Sequence, residues 1–122
     1  EEEINKFLQS LDVFSHGRND GETFGLVFTE AMHHKLPMIS HKAQNNAQVE
    51  VIGDGGKVFS RRNIIGYAME MKKLKNNINY YNERSKNSYN RYVNIYSLEK
   101  NIKGLTKLIQ DAANWKFKPE HE

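Results

Sequence analysis

The apolar positions in the first part of the chain alternate between strand-like and helical spacing. Three short apolar runs, each bounded by turn residues, predict buried strands over 12–16, 36–40 and 57–59. Apolar residues three and four positions apart predict helices over 2–10, from about Phe24 or Gly25 onward, and over 46–52. Because strands that alternate with helices form parallel sheets, this pattern predicts an α/β fold.

The segment after Arg61 keeps helical spacing through two apolar series. Ser97 is a suitable N-cap for a last helix. The apolar face of that helix consists of Leu98, Ile102, Leu105 and Ile109. Trp115 and Phe117 follow it, and two large apolar rings near a chain end need a partner surface to be buried.

The length of 122 residues suits a single domain. We expect a βαβ core over about 1–60 and C-terminal helices over about 61–118. Three strands make only half of a usual doubly wound sheet, so the chain is expected to be part of a Rossmann-like domain with a helical tail. The chain contains no cysteine, which excludes disulfides and thiolate metal sites.

Charge is distributed unevenly along the chain. Residues 1–56 carry four Lys/Arg and nine Asp/Glu, a net of −5, whereas residues 57–122 carry fourteen and six, a net of +8. A basic half can attract anionic lipid or nucleic acid, or it can be a solvated lysine-rich face, which is the interpretation we favour. Basic residues also interleave with the tyrosines Tyr80, Tyr81, Tyr89, Tyr92 and Tyr96. Half-buried packing explains such tyrosines better than stacking on single strands, so no nucleic-acid partner is predicted.

The segment from Glu22 to Glu30 places two carboxylates around a predicted helix start, with seven residues between them. A helix N-terminus offers unpaired N–H groups and a positive dipole end to a phosphate, and Gly25 lets a diphosphate approach the backbone. Glu30 lies about 8 Å further along the axis, where it can accept hydrogen bonds from ribose hydroxyls. Glu22 precedes the helix, where it can accept them from a sugar. On spacing alone, two solvated glutamates are the more common explanation.

Other polar residues near this segment have open roles. His16 and Arg18 flank the loop, and either can face a diphosphate or simply be solvated. His33 and His34 are adjacent and therefore point in different directions from a helix, so no metal site is predicted. The glycines of residues 53–57 lack the spacing of a phosphate-binding loop and are interpreted as a turn.

Several short motifs occur in a consistent order. They are Leu11-Asp12-Val13-Phe14-Ser15, Glu22-Thr23-Phe24-Gly25-Leu26-Val27, Glu30-Ala31-Met32 and Pro37-Met38-Ile39. Together they resemble the GT-B glycosyltransferases, especially the large retaining family four, with its E-x-F-G-L, E-A-M and P-V-I motifs. Glu50-Val51-Ile52 and residues 53–59 also resemble later motifs of that family. The resemblance is close over residues 4–60 and loose over the helical tail.

The resemblance implies a role for each matching residue. Glu22 would contact hydroxyls of the donor sugar and is the candidate catalytic residue, and Glu30 would hold the ribose. Main-chain amides would contact the sugar and the diphosphate. The implied donor-binding set is Glu22, Thr23, Phe24, Gly25, Leu26, Val27 and Glu30. The resemblance implies no cofactor and no metal for donor binding.

Two departures from the family pattern concern loops. Lys35 stands where the family usually has a glycine two residues before the proline of P-V-I, which should alter only the end of a helix. Asn46-Ala47 replaces a glycine pair before the later glutamate, which leaves the conformation of a loop near the sugar open.

The resemblance implies transfer of a sugar, with retention, from a nucleotide-diphosphate donor to a hydroxyl of a glycan, lipid or other acceptor. The alternative is a non-catalytic Rossmann-like module for ligand binding or assembly. Glu1-Glu2-Glu3 is the opposite of the basic start of a signal peptide, and a cytoplasmic location is expected. Peripheral association with the inner face of a membrane is compatible with the basic half.

The family pattern also implies parts that precede Glu1. These are an acceptor-binding N-terminal domain and the first half of the donor-binding domain, and we expect the gene to continue upstream by about two hundred residues. The chain alone would then be inactive. In this family the last helix crosses back to the N-terminal domain, so the segment 105–117 should pack on a second copy of the chain or stay exposed when that domain is absent.

Overall fold

The computed structural model describes residues 2–22 and 25–115. Helices α1 to α6 span Glu2–Gln9, Leu26–His33, Ala47–Ile52, Ile64–Asn76, Ile78–Arg91 and Leu98–Ala113. Strands β1 to β5 span Phe14–His16, Gly21–Glu22, Met38–His41, Asn45–Asn46 and Gly56–Phe59. A 3₁₀ turn occupies Gly53–Gly55, and a π-helical turn occupies Tyr92–Tyr96.

The main sheet has three parallel strands in the order β1-β3-β5. Ser15 lies beside Ile39 in the first pair, and Ile39 lies beside Lys57 in the second. Because each pair of neighbouring strands is parallel, each connection must cross a face of the sheet, and the helices do this. The predicted α/β class, a Rossmann-like parallel sheet with flanking helices and a helical tail, is confirmed.

The core lies between the sheet and α2. Phe14 from β1 and Met38 from β3 point to this side, where Phe28 of α2 contacts the Phe14 ring edge-on at 5.5 Å between ring centres. The other fully or nearly buried members are Leu8, Ala31, Met32, Leu36 and Ile52. Burial of such side chains contributes about 1.5–3 kcal/mol each relative to exposure, so this cluster is the main support of the fold.

Helix α4 lies on the opposite face of the sheet, where one tyrosine contacts two strands. The Tyr67 hydroxyl lies 2.6 Å from the Ser15 hydroxyl oxygen and donates to the Ile39 carbonyl oxygen at 3.2 Å. One side chain therefore bridges β1 and β3 from the side that α2 does not cover.

Several apolar positions differ from their predicted burial. In α1 only Leu8 reaches the core, and Ile4 and Phe7 are exposed. In α2, Leu26 is exposed although it lies in the predicted helix, and Phe28 is fully buried. In each helix only a narrow stripe is buried, and the neighbouring positions face outward.

The long helical segment after Arg61 is interrupted where a side chain can cap a new helix. The Asn77 backbone is extended, and its side-chain oxygen accepts a hydrogen bond from the Tyr80 amide at 3.0 Å. Ser97 caps α6 in the same way by accepting from the Lys100 amide at 3.2 Å, as predicted.

The apolar face of helix α6 is exposed to solvent. Leu98, Ile102, Leu105 and Ile109 are all exposed, and no residue of α6 is buried. Trp115 is 63% exposed, and Phe117 lies outside the described residues, so the expectation that the tail packs on a second copy or stays exposed remains a prediction. None of the described helices is both long and apolar enough to cross a membrane.

The tyrosines of the basic half are used inside the chain. Tyr81 donates to the Asp12 carbonyl oxygen at 2.7 Å, and Tyr96 donates to the Val51 carbonyl oxygen at 3.2 Å. Tyr80 donates to the Glu70 carboxylate at 2.5 Å. These hydrogen bonds hold α5 and the π-helical turn against the rest of the chain. This agrees with the half-buried packing that we favoured for the tyrosines from the sequence.

Arg91, the last residue of α5, ties that helix to the C-terminal end of α3. Its guanidinium donates to the Val51 carbonyl oxygen at 2.8 Å and to the Glu50 carbonyl oxygen at 2.7 Å, and it pairs with Asp54 at 3.0 Å. The last carbonyls of a helix lack partners within the helix, so this side chain acts as a C-cap from another element. The position of α3 on the sheet therefore depends on α5.

We expect Arg91→Met to lower the free energy of unfolding by about 2–4 kcal/mol, because it removes hydrogen bonds from a charged group to two carbonyls. Urea denaturation measures the change. Arg84→Met in the same helix is the matched control, since Arg84 has no hydrogen bond or ion pair within the described part of the chain. Equal losses for the two variants would contradict the capping role.

A second stability prediction concerns alkaline pH. Burial, together with the hydrogen bond to Glu70, raises the pKa of Tyr80 to about 12 from its ordinary 10.0. The neutral phenol is therefore favoured by folding, and its contribution is fully present below pH 10 and is lost as the pH rises through about 12. Tyr80→Phe should remove part of the fall in stability between these values, as followed by urea denaturation at each pH. Tyr89→Phe, whose hydroxyl makes no hydrogen bond within the described residues, should leave the fall unchanged.

Candidate donor-binding site

The predicted site lies at the carboxyl edge of the main sheet. β1 ends at His16 and β3 ends at His41, and the segments that follow them, 17–22 and 42–46, meet at this edge. In open α/β sheets, ligands bind in the crevice outside the carboxyl ends of the strands. The motif that begins at Glu22 therefore occupies the part of the fold where a ligand is expected.

The two loops are joined by a small parallel ladder that the sequence did not predict. Gly21 and Glu22 of β2 pair with Asn45 and Asn46 of β4, and the Asn45 amide also donates to the Asp20 carbonyl oxygen at 3.0 Å. The expectation of three strands was therefore incomplete. Of the Asn46-Ala47 pair, whose conformation the sequence left open, Asn46 belongs to this ladder and Ala47 is the first residue of α3.

Gly21 is required for the ladder. Its φ angle is 74°, and a Cβ atom there would lie 1.8 Å from the Asn45 carbonyl oxygen. Only a residue without a side chain allows the two loop backbones to approach this closely.

Glu22 is held by two basic side chains through one oxygen. Its Oε1 lies 3.1 Å from His16 Nε2 and accepts from Arg18 Nη1 at 3.3 Å. The side chain is 19% exposed. Oε2 has no hydrogen bond to any described residue.

His16 and Arg18 orient Glu22 in different ways. The His16 ring is 10% exposed and packs on Phe28 at 4.8 Å between ring centres, which fixes its direction. Arg18 is largely exposed and forms a two-point contact with Asp20, at 3.1 and 2.9 Å. This contact lowers the pKa of Asp20, and the same contact raises the pKa of Arg18. The structure therefore places both residues against Glu22.

Helix α2 begins at Leu26, close to the predicted helix start at Phe24 or Gly25. Gly25 precedes the helix with a φ of 70°, and its carbonyl oxygen accepts from the Phe28 amide at 3.1 Å. A Cβ atom at Gly25 would lie 3.0 Å from Val51 Cγ2, so both the packing and the positive φ angle favour glycine at this position. Thr23 and Phe24 lie outside the described residues. Leu26 is exposed and Val27 is packed against the core.

Glu30 lies on the outer face of α2, away from the core. It borders a cleft of about 400 Å³ between α1, α2 and the start of α6. The lining is polar and aromatic: Asn5, Thr29, His33, His34, Tyr92, Tyr96 and Asn101 with Ile4 and Leu98. Glu22 is not part of this lining, so the structure brings together His16, Arg18 and Glu22 but places Glu30 at a neighbouring cleft.

The histidines of α2 are engaged in side-chain contacts. The His33 ring lies 5.0 Å from the Tyr92 ring, and His34 Nε2 lies 3.3 Å from Asn5 Oδ1. Within residues 2–22 and 25–115, no group of three or more histidine and carboxylate side chains is arranged to hold a metal ion.

Gln48 is the site residue that sequence reasoning missed. It is fully buried, and its side-chain oxygen accepts from the Glu22 amide at 3.2 Å. The only signal in the sequence is a glutamine among the apolar residues of a short helix, and an amide in that position is equally compatible with an exposed face.

The chain matches a known family over most of its length. The family model described as glycosyl transferases group 1 matches residues 1–91. The chain therefore belongs to the group 1 glycosyltransferases, and its parallel sheet with flanking helices agrees with the Rossmann-like donor-binding domain of the GT-B fold. No curated protein matches the chain. No solved structure matches it either.

A test of the loop ladder uses its glycine. Gly21→Ala should lower the free energy of unfolding by more than about 2 kcal/mol, because the new methyl group forces β2 away from β4 in an unfavourable backbone conformation. Thermal or urea denaturation measures the loss. Gly104→Ala is the control, since a Cβ atom there meets nothing within 4 Å, and it should stabilise α6 by about 0.5–1 kcal/mol. A harmless Gly21→Ala would show that the two loops are not held together.

Proposed function

We propose that the chain is the part of a glycosyltransferase that binds a nucleotide-diphosphate sugar and presents the sugar to an acceptor hydroxyl. The acceptor is a glycan, a lipid or another hydroxyl compound, and the transferred group is a hexose. The family supports glycosyl transfer as the reaction, whereas the nature of the donor is our inference from the site.

The arrangement of Glu22 is the observation that carries this proposal. Its carboxylate stands at the carboxyl edge of the sheet, immediately before a helix start, with Oε1 engaged by His16 and Arg18 and with Oε2 available. A fixed carboxylate oxygen of this kind suits a sugar hydroxyl, because hydrogen bonds to charged groups are stronger than those between neutral groups. The adjacent start of α2 suits the diphosphate.

Glu30 completes the assignment for the nucleotide. It is exposed on the same helix, at a cleft large enough for part of a nucleoside. A carboxylate there can accept hydrogen bonds from the two ribose hydroxyls. The site binds its donor in this proposal without a metal or another cofactor.

Of the remaining features, retention follows from the resemblance, whereas the location and the membrane contact rest on the charge pattern of the chain. Transfer occurs with retention, the enzyme is cytoplasmic, and the basic half favours contact with the inner face of a membrane. We propose that the chain acts within a longer enzyme and is inactive alone, because the basic groups that neutralise the leaving diphosphate would come from another part of the protein.

Two glutamate substitutions separate the roles of the site in the enzyme that contains this chain. Glu30→Ala should weaken binding of the nucleoside diphosphate itself by about ten- to a hundredfold, because it removes hydrogen bonds from ribose to a charged group. Glu22→Ala should leave that binding nearly unchanged and reduce turnover of the nucleotide sugar by a similar factor. Calorimetry with the nucleoside diphosphate and a transfer assay measure the two effects. Glu83→Ala, on the exposed surface of α5, is the control.

Each assignment has an outcome that refutes it. Normal turnover by Glu22→Ala would show that Glu22 is an ordinary loop carboxylate. Normal nucleotide affinity of Glu30→Ala would remove the ribose assignment. Nucleotide-sugar binding without transfer by the enzyme that contains this chain would instead favour a ligand-binding module.

A further inference from the structure

Gln48 lies behind Glu22 and has both ends of its side-chain amide engaged. Oε1 accepts from the Glu22 amide at 3.2 Å, and Nε2 donates to the His41 carbonyl oxygen at 3.0 Å. A longer contact of 3.5 Å joins Nε2 to Asn46 Oδ1. The side chain has no exposed surface.

The direction of this amide follows from its partners. An N–H group can face only an acceptor, so the oxygen must point to the Glu22 amide and the nitrogen to the His41 carbonyl. No aliphatic side chain can make either bond, and a carboxylate can make only the first. A buried polar group is costly unless it is hydrogen-bonded, so both contacts are needed for the glutamine to be tolerated here.

The two bonds connect the motif loop to the end of the main sheet. His41 is the last residue of β3, the central strand, which pairs with a strand on each side. Glu22, by contrast, belongs to a ladder of only two residues between loops. Through these two hydrogen bonds, Gln48 holds the backbone of Glu22 in a fixed position relative to β3. His16 and Arg18 then fix the carboxylate from the other side.

We propose that Gln48 is a positioning residue, which sets the main chain of Glu22 so that Oε2 meets the donor sugar. This inference rests on the role of Glu22 in the proposed function. Gln48 acts through Glu22 and not on the ligand, since its side-chain amide is wholly occupied by protein groups. Loss of these bonds should therefore affect the sugar and spare the nucleotide.

The variant Gln48→Met tests this in the full-length enzyme, because it keeps the length of the side chain and removes both hydrogen bonds. We expect kcat/KM for the nucleotide sugar to fall about ten- to a hundredfold, since a misplacement of about 1 Å can cost about a hundredfold. The Kd of the nucleoside diphosphate should change less than about threefold. Ile52→Val, a core change in the same helix, is the control for lost stability and should preserve both quantities at a comparable melting temperature.

Two comparisons overturn the proposal. If Gln48→Met loses no more turnover than Ile52→Val, or if nucleotide affinity falls as much as turnover, Gln48 has only a general structural role. The double variant Glu22→Ala/Gln48→Met should be no worse than Glu22→Ala, because one residue acts through the other. Additive losses would contradict this. Normal turnover by Glu22→Ala alone would refute the assignment of Glu22 and is distinguishable from each of these results.

Hydrogen exchange of the unmodified enzyme provides a test that does not depend on a variant folding. The Glu22 amide should be protected, since its hydrogen bond to a buried side chain must open before exchange. Exchange at the rate of an unstructured amide would overturn the proposal even if Gln48→Met cannot be purified.

Discussion

The close approach of two loop backbones at Gly21 is the constraint on which the site depends. Gly21 and Asn45 can lie side by side only because the glycine has no Cβ atom, and this contact allows β2 and β4 to pair. The ladder is only two residues long, so it cannot be stable by itself. Its supports come from elsewhere: the buried amide of Gln48 on one side, and the basic groups of His16 and Arg18 on the other. These contacts hold the short, polar ladder in a fixed position relative to the main sheet.

The fold could be predicted from the sequence where apolar residues decide the structure. The strands containing Phe14, Ile39 and Val58 are short apolar runs between turn residues, and the structure has strands at each of them. The start of α6 follows from Ser97, whose side chain caps the helix, whereas the start of α5 at the Asn77 cap was not predicted, because helical spacing continues across it. By contrast, β2 and β4 consist of glycine, glutamate and two asparagines, which have low strand propensity. They pair because of the loops around them, and no local pattern indicates this.

The candidate site, like the fold, could be predicted from the sequence only in part. Glu22, Gly25 and Glu30 stand out in the sequence through their spacing and their resemblance to a family motif, and the motif lies at the expected edge of the sheet. The buried partner of Glu22 could not be predicted, because it comes from a distant segment of the chain, whereas His16 and Arg18 lie only six and four positions from Glu22. Gln48 is separated from Glu22 by 26 positions and lies in a helix whose other buried member is Ile52. A polar residue on a buried face becomes informative only when its hydrogen-bond partners are known.

Helix α6 has a different relation to the rest of the molecule. None of its residues is buried, and its neighbour is the π-helical turn rather than the sheet. By contrast, the chain up to Tyr96 is attached to the core, because the Tyr96 hydroxyl donates to the Val51 carbonyl oxygen. Unfolding of α6 therefore exposes almost no additional apolar surface and disturbs no contact of the core. We therefore expect α6 to unfold and refold independently of the strands and of the loops that hold Glu22.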